Sequence, residues 1–184
     1  MRGRLLPILL AALTVLVLGV GAVPAATATG ELRVSPGGLF TGTGGSVYAP
    51  PVNCGSSRVT GRFTSTGPPL GIIDGITYQN CSGFFAVTVS VDVPWTMSAT
   101  AYSNGVTTIN LTDMAATVTG PGCRYKVDGQ ASASFDNATS VLTVLHEAAT
   151  VTEASCLGLI SPGQRTRLLS GSYVISPSQV IEPA

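Results

Sequence analysis

The stretch Phe84-Phe85-Ala86-Val87-Thr88-Val89-Ser90-Val91-Asp92-Val93-Pro94-Trp95 decides the fold class. In it Phe85, Val87, Val89, Val91 and Val93 alternate with Phe84, Ala86, Thr88, Ser90 and Asp92, a period of two that gives a strand one face for a core and one for water. Pro94, which has no N–H to donate to a ladder, ends or bends it. Working outward, the chain is rich in Thr, Ser, Val, Ala and Gly and poor in Leu, Glu and Lys, with turn residues every eight to twelve positions. That composition disfavours helix and predicts many short strands. Further strands are expected at Arg58–Thr64, Thr96–Tyr102, Val106–Leu111, Met114–Thr119, Arg124–Val127, Ala131–Phe135, Val141–His146, Thr150–Glu153 and Leu168–Ile175.

Asn104-Gly105, Asp74-Gly75 and Asp128-Gly129 tolerate the positive φ angles of tight turns and are expected to close hairpins, with another corner at Asp136-Asn137. Short hairpin connections imply antiparallel pairing. The expected fold is therefore all-β, an antiparallel β-sandwich or a closed β-barrel, and the sequence does not choose between them.

Residues 1–28 differ in character from the rest. Arg2 and Arg4 precede a nearly unbroken apolar run from Leu5 to Val23, and Pro24 then leads to Ala26-Thr27-Ala28. A short cationic start, an apolar segment and a small-x-small site make a secretory signal peptide, with cleavage expected after Ala28. The apolar run is long enough to span a bilayer, and an uncleaved anchor is the competing reading. The cleavage site in place of a basic stop-transfer cluster favours removal. The expected product is a secreted, extracellular domain, 29–184, with no integral membrane span.

All four cysteines, Cys54, Cys81, Cys123 and Cys156, fall in that domain. An even number in an exported chain predicts two disulfides, for which three pairings exist. Sequential pairing, Cys54 with Cys81 and Cys123 with Cys156, closes the shortest loops. In the loop-entropy model, closures of about thirty residues stabilise the fold by about 3.5 to 4 kcal/mol each. A four-cysteine zinc site needs ligands paired at tight spacing, whereas no two cysteines here are closer than 27 positions.

Without Arg2 and Arg4 there remain seven basic side chains against nine acidic ones, a net charge near −2, and Lys126 is the only lysine. Nucleic-acid binding draws on clustered Lys and Arg, which this chain lacks.

A weak internal duplication is visible. Pro51-Val52-Asn53-Cys54 leads to Arg58-Val59-Thr60-Gly61, and Pro121-Gly122-Cys123 leads to Lys126-Val127-Asp128-Gly129. Each half reaches Cys-x-Gly, at Cys81-Ser82-Gly83 and Cys156-Leu157-Gly158, and Val34-Ser35-Pro36 is echoed by Ile175-Ser176-Pro177. Two similar halves, each with its own staple, are expected. Together with Leu32-Arg33-Val34-Ser35-Pro36-Gly37-Gly38, the Trp95 strand, Gly120-Pro121-Gly122-Cys123, Cys156-Leu157-Gly158-Leu159-Ile160 and Tyr173-Val174-Ile175-Ser176-Pro177, these motifs resemble a family of small, uncharacterised secreted actinobacterial proteins with four cysteines. The resemblance covers nearly the whole exported domain. Its motifs are structural, so it implies an exported β domain and hands over no functional residue.

Residues that carry chemistry are few. His146 is the only histidine, and neither G-x-S-x-G nor H-E-x-x-H surrounds it or any serine, so no catalytic or metal site is assigned. Asp74, Asp92, Asp113, Asp128, Asp136, Glu147 and Glu153 are scattered, and two of them could serve a hydrolase only if the fold brought them together. No cofactor motif is present. Arg58 with Arg62, and Arg165 with Arg167, should each share a sheet face and could hold a small anion or carbohydrate, or simply keep a face soluble. Trp95, Tyr102, Tyr125, Tyr173, Phe84 and Phe85 could stack on sugars if exposed, although Trp95 after Pro94 reads better as a core plug. The leading expectation is a non-catalytic extracellular or cell-surface binding or structural domain of unknown partner. The alternative is a carrier of a small apolar ligand, with a hydrolase or a protease inhibitor behind it. A carrier requires an apolar cavity of several hundred Å³.

Overall fold

Alternation and β-branching put almost the whole described chain into strands, in a computed structural model that describes residues 31–49, 52–83, 86–145, 148–167 and 170–184. The strands are β1 (Leu32–Ser35), β2 (Gly38–Gly44), β3 (Val47–Ala49), β4 (Val52–Phe63), β5 (Gly71–Ser82), β6 (Thr88–Asp92), β7 (Trp95–Ser103), β8 (Val106–Gly120), β9 (Cys123–Asp136), β10 (Val141–Val144), β11 (Ala148–Ser155), β12 (Arg165–Arg167), β13 (Gly171–Ser176) and β14 (Val180–Pro183). No described residue is helical, and every pairing is antiparallel. The expected signal peptide, His146, Glu147, Phe84 and Phe85 lie outside the described residues.

Two long hairpins organise the molecule. β4 and β5 pair from Phe63↔Gly71 up to Cys54↔Cys81, and β8 and β9 pair from Val106↔Asp136 up to Gly120↔Cys123, where Pro121-Gly122 makes the turn. At the lower end β10, β13 and β2 link β9 to β4, and β7 links β5 to β8, so the pairings run β9-β10-β13-β2-β4-β5-β7-β8 and back to β9. At the upper end the partners change. β6 replaces β7 beside β8, β11 replaces β10 beside β9, and β3 replaces β2 beside β4. A closed ring thus opens into two facing layers, β12-β11-β9-β8-β6 and β3-β4-β5, joined like a sandwich. Barrel and sandwich are both present, at opposite ends of the same strands.

Inside the ring lie Phe40, Phe63, Phe135, Met97, Ile109, Leu111, Leu142 and Ile175, each at most 3% exposed. Phe63 touches Phe40 and Phe135 at ring-centroid distances of 4.8 and 5.8 Å. The small β1–β14 sheet plugs the lower pole through Val34 and Ile181, both buried. Asn137, in the β9–β10 turn, donates from Nδ2 to the Ile181 carbonyl (2.7 Å) and accepts from the Ile181 N–H (2.9 Å). The buried Gln179 accepts from the Gly37 N–H at 2.9 Å and donates to the Pro177 carbonyl at 3.2 Å, tying together the two Ser-Pro corners that repeat in sequence.

Asn104-Gly105 turns β7 into β8 with φ of 50° and 80°, as expected of a tight hairpin, and residues 137–140 turn after Asp136. Asp74-Gly75 and Asp128-Gly129 are not turns. Both lie inside long strands, at bulges. Thr60 faces Gly75 and Gly61 faces Ile73, leaving Asp74 as the extra residue, held by Thr60 Oγ1 and Arg62, each at 3.3 Å. Leu111 faces Ala131 and Met114 faces Gly129, so Thr112 and Asp113 together oppose Gln130, and Asp113 takes φ 62°. Neither Asp-Gly pair takes a positive φ here; at the second bulge that conformation falls on Asp113 of the opposite strand. The two strands expected at Val106–Leu111 and Met114–Thr119 are accordingly one, as are those at Arg124–Val127 and Ala131–Phe135. The strand read over Phe84–Val93 is described only from Thr88 to Asp92, with Ala86 bridging Ser82.

Two substitutions test this packing. A Cβ on Gly61 would sit 2.3 Å from the Ile72 carbonyl oxygen and 2.6 Å from Phe40 Cζ, so Gly61→Ala is expected to cost about 1 to 3 kcal/mol in denaturant unfolding. Thr107 is fully buried on β8, and its Oγ1 has no hydrogen-bond partner among the described residues. Replacing it by Val, which keeps the shape and removes the unpaired hydroxyl, should raise stability by about 1 kcal/mol.

Candidate ligand-binding cavity

Where the ring opens into two layers, apolar side chains that would have met across a barrel no longer reach each other. Between the layers lies a cavity of about 740 Å³, open to solvent. Val118 from β8, Tyr125 from β9 and Val151 from β11 form one wall; Val52 from β4, with Gly83 and Val87 from the β5–β6 connection, forms the opposite one. Leu159, Ile160 and Gln164, in the segment between β11 and β12, and Arg165, Thr166 and Arg167 of β12 complete the rim. A recess of about 40 Å³ shares Val52, Val118, Tyr125, Thr166 and Arg167 and reaches Tyr78, Val89, Val91, Trp95 and Met114.

Both disulfides stand at this end. Cys54–Cys81 joins directly opposed residues of β4 and β5 with Cα atoms 3.9 Å apart, and Cys123–Cys156 joins the start of β9 to the residue after β11 with Cα atoms 4.0 Å apart. Each layer therefore carries its own covalent crosslink, and Cys123 itself lines the cavity. The sequential pairing read from the spacing is the one found, and crosslinks of this kind are compatible with an oxidising compartment.

Beneath the cavity a chain of hydroxyls separates it from the ring core. Tyr78, whose phenol end is enclosed, meets the buried Tyr173 of β13, which also meets Ser57 of β4. Burial first, then the neighbouring Tyr173, pushes the Tyr78 phenol well above the ordinary tyrosine range. Burial likewise raises Tyr173, against the opposing effect of its bonds to Ser57 and Tyr78. Tyr125, on the cavity wall, is raised by burial alone.

Among the described residues, the charged side chains singled out in the sequence are elsewhere, with one exception. No described Asp or Glu lines the cavity. Asp74 pairs with Arg62, Asp92 with Lys126, Asp113 accepts from Thr96 and Thr112, and Asp136 accepts from the Ala138 N–H. Asp92, Asp128 and Glu153 act together on Lys126, away from the cavity lining, and among the described residues no three His, Cys, Asp or Glu are grouped as a metal site needs. Among the described aromatics singled out, Trp95, Tyr125 and Tyr173 are buried and Tyr102 is half-buried, and Trp95 Nε1 donates to the Asp92 carbonyl at 2.8 Å. Arg58 and Arg62 are on the outer face of β4. Arg165 and Arg167 are the exception, since the fold carries them to the cavity rim.

The chain matches no family model, no curated protein and no solved structure. Among the described residues no helix is long and apolar enough to cross a membrane.

The tyrosines make a pH prediction. A tyrosine whose folded pKa is raised holds its proton more tightly in the folded state, so its contribution is complete below the unfolded value near 10 and is lost as pH rises through the folded one. Lys126, raised first by its hydrogen bond to Asp92, acts in the same direction. Thermal melts should be flat up to about pH 9 and fall above it, each buried tyrosine adding about 1.4 kcal/mol of loss per pH unit. Tyr78→Phe should flatten that alkaline limb while leaving neutral-pH cooperativity intact.

Proposed function

We propose that this chain is a non-catalytic, secreted binding domain that carries a small apolar ligand in the cleft between its two stapled layers. The observation that carries the reading is the 740 Å³ volume walled by Val52, Val87, Val118, Tyr125 and Val151. It lies within the range of cavities that bind cofactor-sized and drug-sized molecules, about 300 to 1,000 Å³. Apolar walls hold water weakly, and an apolar guest gains about 25 cal/mol for each Å² it removes from water. Each layer is fixed by its own disulfide and the hydroxyl floor lies beneath both, so the ligand need not pay to form the site.

Export is supported by the cationic and apolar leader ending Ala26-Thr27-Ala28 and by the disulfides. Kinship with the small secreted actinobacterial proteins rests on the shared motifs around the cysteines and the Ser-Pro corners. A hydrolytic role draws no support from the cavity, whose described lining has no acidic residue.

Trp95, the only tryptophan, borders the recess and so provides an internal reporter. An uncharged naphthylamine dye added to the oxidised protein should bind saturably and quench Trp95 by energy transfer. Val118→Trp, which fills the cleft from a wall position, should abolish dye binding while the far-ultraviolet spectrum and melting cooperativity persist. Absence of saturable binding in the wild-type protein, or undiminished binding in the variant, would refute the carrier reading.

A further inference from the structure

We infer that the ligand is a single-chain amphiphile with an anionic, carboxylate-like head, its tail between the layers and its head at Arg165 and Arg167; this rests on the carrier reading above. The argument is one of position. Both arginines border the large cavity, and Arg167 also borders the recess beneath it. β12 is an edge strand paired only with β11, in the register Ala148↔Arg167, Ala149↔Thr166 and Thr150↔Arg165. Ala149 is buried while Ala148 and Thr150 are exposed. Side chains opposed across a ladder share a face, so Thr166 turns inward and the two arginines stand on the solvent side of the rim. The resulting site is apolar within and cationic at its lip.

Neither arginine has an ion-pair partner among the described residues, whose pairs are Arg33–Glu182, Arg62–Asp74 and Lys126–Asp92. Of the described acidic groups, Asp128, separated from Arg165 by the Thr150 strand, and Glu153 stand on that outer face, and both act on Lys126. No described carboxylate lines the cavity. Arg165 and Arg167, at i and i+2 on one strand, place two guanidinium forks side by side, and a single fork already matches a carboxylate with two parallel N–H donors. An uncharged guest would leave that pair unused, and a cationic head would be repelled.

Displacement of the neutral dye tests this, with dodecanoate, dodecanol and dodecyltrimethylammonium as competitors, all below their micelle concentrations. Dodecanoate should displace the dye at about tenfold lower concentration than dodecanol, the trimethylammonium compound should be weakest, and the preference should shrink in high salt. In the double variant Arg165→Gln, Arg167→Gln, the tenfold preference for dodecanoate over dodecanol should vanish, read as the ratio of the two so that any change in dye affinity cancels. If dodecanol already equals dodecanoate in the wild-type protein, or the preference survives in the double variant, the head-group inference falls and the carrier reading stands. If dye and all three competitors fail to bind, the carrier reading itself falls.

Discussion

A strand has two edges, and the architecture follows from how β9 uses its own. One edge pairs with β8 along the entire length, while the other is divided between β10 below and β11 above. β8 divides its remaining edge in the same way, between β7 and β6. A hairpin built like this belongs to two structures at once. Its lower half closes a ring around three phenylalanines, and its upper half is one layer of an open pair. The division falls where Thr112 and Asp113 bulge opposite Gln130, since a bulge turns the strand and changes its twist. The cavity is the geometric remainder of that change of partner.

Crosslinks are placed where this arrangement is weakest. Ring closure satisfies strand edges and packs side chains at the lower end, but the upper layers face each other over an incompletely filled space and gain less from burial. Each layer has one disulfide there, between strands that are already neighbours. Such bonds do not join the layers. They prevent each from fraying independently, so the separation between them is retained by the tyrosine and serine hydroxyls beneath. Those phenols are neutral at physiological pH, consistent with a floor that must sit between a hydrocarbon core and an apolar cleft.

How far the fold could be read in advance depended on whether a signal was local. Alternation from Val87 to Val91, the Asn104-Gly105 turn and the cysteine spacing all act over short range, and each is reflected in the structure, whereas Val93 beyond the strand is exposed. β2, reading Gly-Leu-Phe-Thr-Gly-Thr-Gly, lacked apolar alternation because Gly42 occupies a core-facing position where a Cβ would strike Val59 and Ile175 at 2.5 and 2.8 Å. β5 was hidden because Asp74-Gly75 reads as punctuation when it is in fact a bulge. The cavity had no local signature, since its walls come from β4, β8, β9, β11 and β12. The spacing of Arg165 and Arg167 was visible, but their place at its lip depended on a strand of three residues whose position only the fold supplies.

The β1–β14 plug brings Glu31 and Ala184 together, the Ala184 N–H donating to the Glu31 carbonyl at 2.9 Å. Glu31 and Ala184 are therefore both held at the end opposite the cleft. Attachment to a wall, a bead or a neighbouring module through either end would leave the opening turned toward the medium, unobstructed by its own tether.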